Sequence, residues 1–127
     1  MQFDDLPALE REAIGLLLQH GDSVQVLQRQ LDSVTQVRRT ETGAGVYVTF
    51  EFEPEVERLA GHSSFHIADV FATSSSCEEI GFILFVNEGL VDYMEAYVYA
   101  DVYPSYDNCN FRLSRQADTH GMEDPGA

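Results

Sequence analysis

The run Ile80–Pro104, IGFILFVNEGLVDYMEAYVYADVYP, constrains the fold more than any other part of this chain. Ile80 to Val86 carries no polar side chain, the mark of a strand buried on both faces inside a sheet, with helices over at least one face. Asn87-Glu88-Gly89 then supplies a three-residue loop whose glycine can take the left-handed position, and Leu90 onward returns as a second strand. With that loop the hairpin pairs Phe85 with Val91, Ile83 with Tyr93 and Gly81 with Glu95. A single carboxylate, Glu95, thereby falls in a row of tyrosines.

The rest of the chain supplies elements around this hairpin. Leu6, Leu9, Ala13, Leu16 and Leu17 recur at helical spacing, with acids before them and His20-Gly21 after, which predicts a first helix. Asp22 as N-cap and Gln25 as its capping-box partner open a second, with Val24, Leu27 and Leu31 facing inward. Val34–Glu41 reads as a strand, 42–45 as a turn, and Val46–Phe52 as a strand. There Val46, Val48, Phe50 and Phe52 form one face and Tyr47, Thr49 and Glu51 the other, the period of a sheet with one side in water. Glu53 to Gly61 reads as a loop or one helical turn, Phe65–Thr73 as a strand, and Phe111–Leu113 as an edge strand. The predicted fold is α+β: two N-terminal helices on one face of a mainly antiparallel sheet of about four to six strands. Leu9, Leu16, Val48, Phe50, Phe82, Leu84 and Met94 are the expected core. Residues 1–113 make one domain, and the polar, glycine- and proline-containing stretch 114–127 is expected to be a disordered tail.

Charge narrows the function. The chain has 22 acidic and 7 basic residues, a net charge of −15, and every basic residue is arginine. From Leu59 to Phe111 there are eight acids and no base. Direct binding to nucleic acid or to an anionic membrane needs clustered cations and is excluded on this ground. Solubility and rapid encounter with a basic partner are favoured instead. No apolar run approaches the roughly 20 residues that span a bilayer, and none resembles a signal peptide. Cys77 and Cys109 lack C-x-x-C spacing and, without a secretory signal, are expected as two free thiols in a cytoplasmic protein.

Few residue sets carry chemistry. Glu95, sharing a face with Val91, Tyr93, Tyr97 and Tyr99 and facing Gly81, could occupy a tyrosine-lined hollow as a general acid or a ligand-binding group; Asp101 lies beside them. Equally, Glu95 could be a surface group or accept a hydrogen bond from a tyrosine or arginine. His62, His66 and Asp69 are ligand types, but along a strand the two histidines stand about 13 Å apart, too far to share an ion. Ser74-Ser75-Ser76-Cys77 has no nucleophile elbow. Gly43-Ala44-Gly45 is a turn rather than a phosphate cradle, and no P-loop or G-x-G-x-x-G occurs, so neither cofactor nor metal is expected. Tyr93, Tyr97, Tyr99, Tyr103 and Tyr106 could stack bases, but with no cation nearby, packing and protein contact explain them better. Arg38 and Arg39 fall on opposite strand faces, so one can be the internal partner of a carboxylate such as Glu51 or Glu95.

The segment FHIADVFA…GFILFVNEGLVDYMEAYVYADVYP resembles a pattern in small bacterial proteins of unknown function. In these a G-F-x-L-F-V strand, a glycine turn and an E-x-Y/F-x-Y segment ending near proline recur. The resemblance covers residues 65–104, and where such segments often read L-E-G-Y this chain has Met94-Glu95-Ala96-Tyr97. It implies a compact bacterial domain and no particular activity. The leading expectation is a non-catalytic protein-binding module, immunity- or antitoxin-like, that takes a basic partner. The alternative is a small-molecule binder or enzyme whose pocket is lined by Glu95 and the neighbouring tyrosines.

Overall fold

The computed structural model describes residues 1–19, 24–100 and 102–115. A single 3-10 turn at Phe3–Asp5 precedes helices α1 (Ala8–Leu17) and α2 (Val24–Asp32). Six strands follow: β1 (Val34–Glu41), β2 (Gly45–Phe52), β3 (Phe65–Thr73), β4 (Ile80–Asn87), β5 (Leu90–Tyr97) and β6 (Arg112–Arg115). They form one antiparallel sheet in the order β1-β2-β5-β4-β3-β6, so the apolar β4 lies inside it. This is the expected α+β fold, with both helices against one face. β6 runs two residues past the expected start of the tail at Ser114, while residues 116–127, the Asp22 cap and the His20-Gly21 stop lie outside the described residues.

The core lies between the helices and the inner face of the sheet. Val48, Phe50, Phe82, Leu84 and Met94 are buried there as expected. The buried stripe of α1, however, is Glu10, Ala13, Ile14 and Leu17. Leu9 and Leu16, expected inside, flank that stripe half-buried. Each α-helical residue turns about 100°, so a stripe centred on Ile14 and Leu17 places Glu10 in the middle and Leu9 and Leu16 at its edges. In α2 the buried Gln30 donates from Nε2 to the carbonyls of Glu57 (2.9 Å) and Gly89 (2.8 Å) and accepts from the Val91 amide at 2.8 Å. One side chain thereby ties the helix to the β4–β5 turn.

The register of that hairpin corrects the sequence reading. Glu88 (φ 52°) and Gly89 (φ 79°) are both left-handed, the signature of a two-residue turn whose twist matches the strands. Asn87 pairs with Leu90 and Val86 with Val91; a bulge at Asp92 then brings Phe85 opposite Tyr93, Ile83 opposite Glu95 and Gly81 opposite Tyr97. Every expected partner is displaced by two residues, and the extra residue in the bulge moves Val91 to the buried face, away from Glu95.

The cysteines are a second correction. Cys77 and Cys109 form a disulfide, with Cα atoms 6.0 Å apart. Spacing along the chain hides this, but topology explains it. β3 and β6 pair antiparallel with Thr73 opposite Arg112, and continuing past that pair leads the two chains toward Cys77 and Cys109. Unfolded without reductant, the protein should yield no titratable thiol, and reduction should lower its stability by about 3–4 kcal/mol through the freed loop. Recovery of two thiols per chain from unreduced protein would contradict the pairing.

Candidate functional site

Alternation along the strands sends every second side chain to the face without helices. On β5 these are Tyr93, Glu95 and Tyr97; on β4, Gly81, Ile83 and Phe85; on β2, Tyr47, Thr49 and Glu51. The cross-strand rows follow from the register. Thr49, Tyr93, Phe85 and His66 form one row, Tyr47, Glu95 and Ile83 the next, and Tyr97, Gly81 and Phe71 the third. Their rings run in sequence: Tyr47–Tyr93 centroids are 6.1 Å apart, Tyr93–Phe85 4.5 Å and stacked, and Phe85–His66 5.9 Å. An aromatic band thus crosses β2, β5, β4 and β3, with Tyr47 and His66 exposed and Tyr93 and Phe85 half-buried.

Glu95 sits within this band. Its neighbours on the face are Tyr47 and Ile83 across the strands and Tyr93 and Tyr97 along its own. The Tyr47 hydroxyl donates to Glu95 Oε2 at 3.3 Å. Among the described residues it is the one hydrogen bond Glu95 receives, and no arginine is paired with it. The negative field shows in the phenols. Tyr47 is held above its ordinary pKa chiefly by the Glu95 charge, and Tyr97 is pushed up to about 12 by burial, then by Tyr99, Glu79 and Glu95.

The space expected at Gly81 beside Glu95 is filled by Tyr97. The Tyr97 ring lies over Gly81, so close that a β-carbon there would meet its ring carbon Cζ at 2.4 Å. Glycine at position 81 therefore makes room for an aromatic ring and leaves none for a ligand. Of the expected site residues, Tyr93, Glu95 and Tyr97 are brought together. Tyr99 packs edge-on against Tyr97 (5.6 Å) and is 89% exposed, and Asp101 lies outside the described residues. Tyr47, Phe85 and His66 complete the band and were missed. Their strand phases were legible, but only the strand order aligns them.

A second cluster lies on the helix side. Glu10, with no exposed surface, accepts Arg39 Nε on Oε1 (2.9 Å), and on Oε2 it accepts Arg39 Nη2 (2.7 Å) and the Tyr106 hydroxyl (2.6 Å). Arg39 is thus the internal arginine, but its partners are Glu10 and Glu41 (2.7 Å) rather than Glu51 or Glu95; Glu51 pairs with Arg38 on the open face at 2.6 Å. Since Tyr106 gives its proton to Glu10, Tyr103 must be the donor in the 2.7 Å bond between the two hydroxyls. A cleft of about 570 Å³ opens beside this chain of hydrogen bonds, lined in part by Arg39, Glu41, Tyr103 and Tyr106. Through these bonds Glu10 joins α1, β1 and the 106–108 turn.

Burial pushes Tyr103 up to about 12 and Tyr106 well above its ordinary value. Raised folded-state values mean that the unfolded chain loses these protons first. Stability they support below pH 10.0 is therefore lost as pH rises toward about 12. Denaturation midpoints should fall steadily over that interval, and Tyr103→Phe should flatten the fall.

Comparison with family models, with curated proteins and with solved structures returned no match. None of the described helices is long and apolar enough to cross a membrane.

Proposed function

We propose that the protein is a non-catalytic protein-binding module, of the kind that immunity proteins and antitoxins represent, whose open sheet face takes up a basic partner. The observation that carries this reading is the aromatic band of Tyr47, Tyr93, Phe85 and His66 around Glu95, on a sheet face that no described helix covers. Tyrosine-rich surfaces on rigid backbone are favoured at binding hot spots, because large rings bury area while few side-chain rotations are lost.

Charge indicates the partner. Arg11, Arg29, Arg38, Arg39, Arg58 and Arg115 are each bonded to a carbonyl or a carboxylate of the chain itself. The fold thereby consumes most of its few cations, and the acidic surplus is left to steer association. The bond between Cys77 and Cys109 also bears on where this happens. It removes the thiol argument for a cytoplasmic location and favours an oxidising compartment.

The test is capture of a partner by the full chain across a salt series, with Tyr93→Ser as the face variant and Glu57→Gln as a control. A partner of high isoelectric point whose binding weakens steeply with salt, disappears with Tyr93→Ser and persists with Glu57→Gln is the expected result. Binding insensitive to salt, or untouched by Tyr93→Ser, would overturn the reading.

A further inference from the structure

Glu95 is the centre of the open face, and its surroundings specify more than negative charge. Its four neighbours there are Tyr47, Tyr93, Tyr97 and Ile83, so the half-buried residue stands in a frame of three phenol rings and one aliphatic side chain. Among the described residues no arginine is paired with this carboxylate, so an arriving cation meets no internal competitor. Tyr47 already donates to Oε2, which leaves Oε1 to accept from an incoming donor. Tyrosine rings attract cations over their π faces, and Tyr47, bonded to Glu95, is exposed.

We infer that Glu95, with Tyr47 and Tyr93, forms a receptor for a single arginine side chain of the partner, an inference that rests on the basic-partner reading above. The guanidinium donates to the Glu95 carboxylate while its plane lies against a tyrosine ring. Arginine fits this frame better than lysine for three reasons. Its guanidinium is planar and stacks, its N–H groups fork toward both carboxylate oxygens, and it is less strongly hydrated, so entering a half-buried site strips less water from it. A lysine ammonium would find the charge but would make little use of the flat rings. The exposed Tyr99, which meets Tyr97 edge-on at 5.6 Å, stands at the margin of the same frame.

The probes are three blocked tripeptides, Gly-Arg-Gly, Gly-Lys-Gly and Gly-citrulline-Gly, titrated at low salt into the intact protein. NMR of the tyrosine ring signals and the Glu95 side-chain carboxyl carbon follows the binding. The arginine peptide should saturate with shifts at Glu95, Tyr47 and Tyr93. The lysine peptide should bind about 3–10-fold more weakly, the gain expected from stacking, and the uncharged citrulline peptide should leave these signals in place. Glu95→Gln should weaken the arginine peptide at least about tenfold, with the thermal midpoint of the fold unchanged because the residue lies on the open face, outside the core. Tyr93→Leu, which keeps the carboxylate, should erase the preference for arginine over lysine.

Equal binding of the arginine and lysine peptides, or arginine binding that survives Glu95→Gln, would overturn the receptor. If a protein partner is lost with Tyr93→Ser yet retained in full with Glu95→Gln, the arginine anchor fails while the basic-partner reading stands. If the arginine peptide binds as described but no salt-sensitive protein partner exists, the receptor holds and the partner reading fails.

Discussion

Replacing Glu10 by alanine should destabilise the protein by about 3–5 kcal/mol, the cost of breaking a buried ion pair from one side. Glu10 has no exposed surface, and Arg39, 18% exposed, directs Nε and Nη2 at it. Without the carboxylate, the guanidinium keeps only the exposed Glu41, and the Tyr106 hydroxyl loses its acceptor. Both are then partly buried donors without their acceptor, which is worse than an apolar replacement. The double variant Glu10→Met with Arg39→Met should therefore recover much of the loss, since well-packed side chains can substitute for a buried pair. Urea denaturation of the three proteins measures this. A loss below about 1 kcal/mol for Glu10→Ala, the range of exposed pairs, would show that the pair is solvated.

Phe82→Ala should cost a similar amount, about 3–5 kcal/mol. Phe82 is 1% exposed on β4, and its removal leaves a cavity between the sheet and α1. Phe85, three residues along the same strand, is the control. It lies on the open face and is half-buried, so Phe85→Ala should cost only about 1–2 kcal/mol through lost apolar contact. The difference between the two phenylalanines separates the face packed against the helices from the open face of the sheet. Equal costs would mean that the open face is packed as tightly as the core.

Much of this architecture was legible in residue order. Periodicities of two and 3.6 placed both helices and the strands, because each element must show an apolar side to the core and the backbone geometry sets how often that side recurs. Glu10 was legible in principle as well, as a charged residue in phase with Ala13, Ile14 and Leu17, just as Arg39 is in phase with Val37. Each breaks the apolar pattern of its own element, and two such breaks of opposite charge are a signal that they meet. Neither element alone names the other.

Local periodicity determined which side chains share a face within each strand, and the acid–base imbalance determined the sign of the chain's net charge. What lies beside what was decided only in three dimensions. The bulge at Asp92 and the two-residue turn at Glu88-Gly89 shifted the hairpin by two residues, putting Tyr97 rather than Glu95 over Gly81 and turning an expected pocket into a filled surface. The order β1-β2-β5-β4-β3-β6 brought Tyr47 against Glu95 and laid β6 along β3, carrying Cys109 to Cys77. A periodic pattern is a property of one segment, fixed by its own backbone geometry. Register, strand order and a disulfide are relations between segments, chosen by the competition of all their buried surfaces at once.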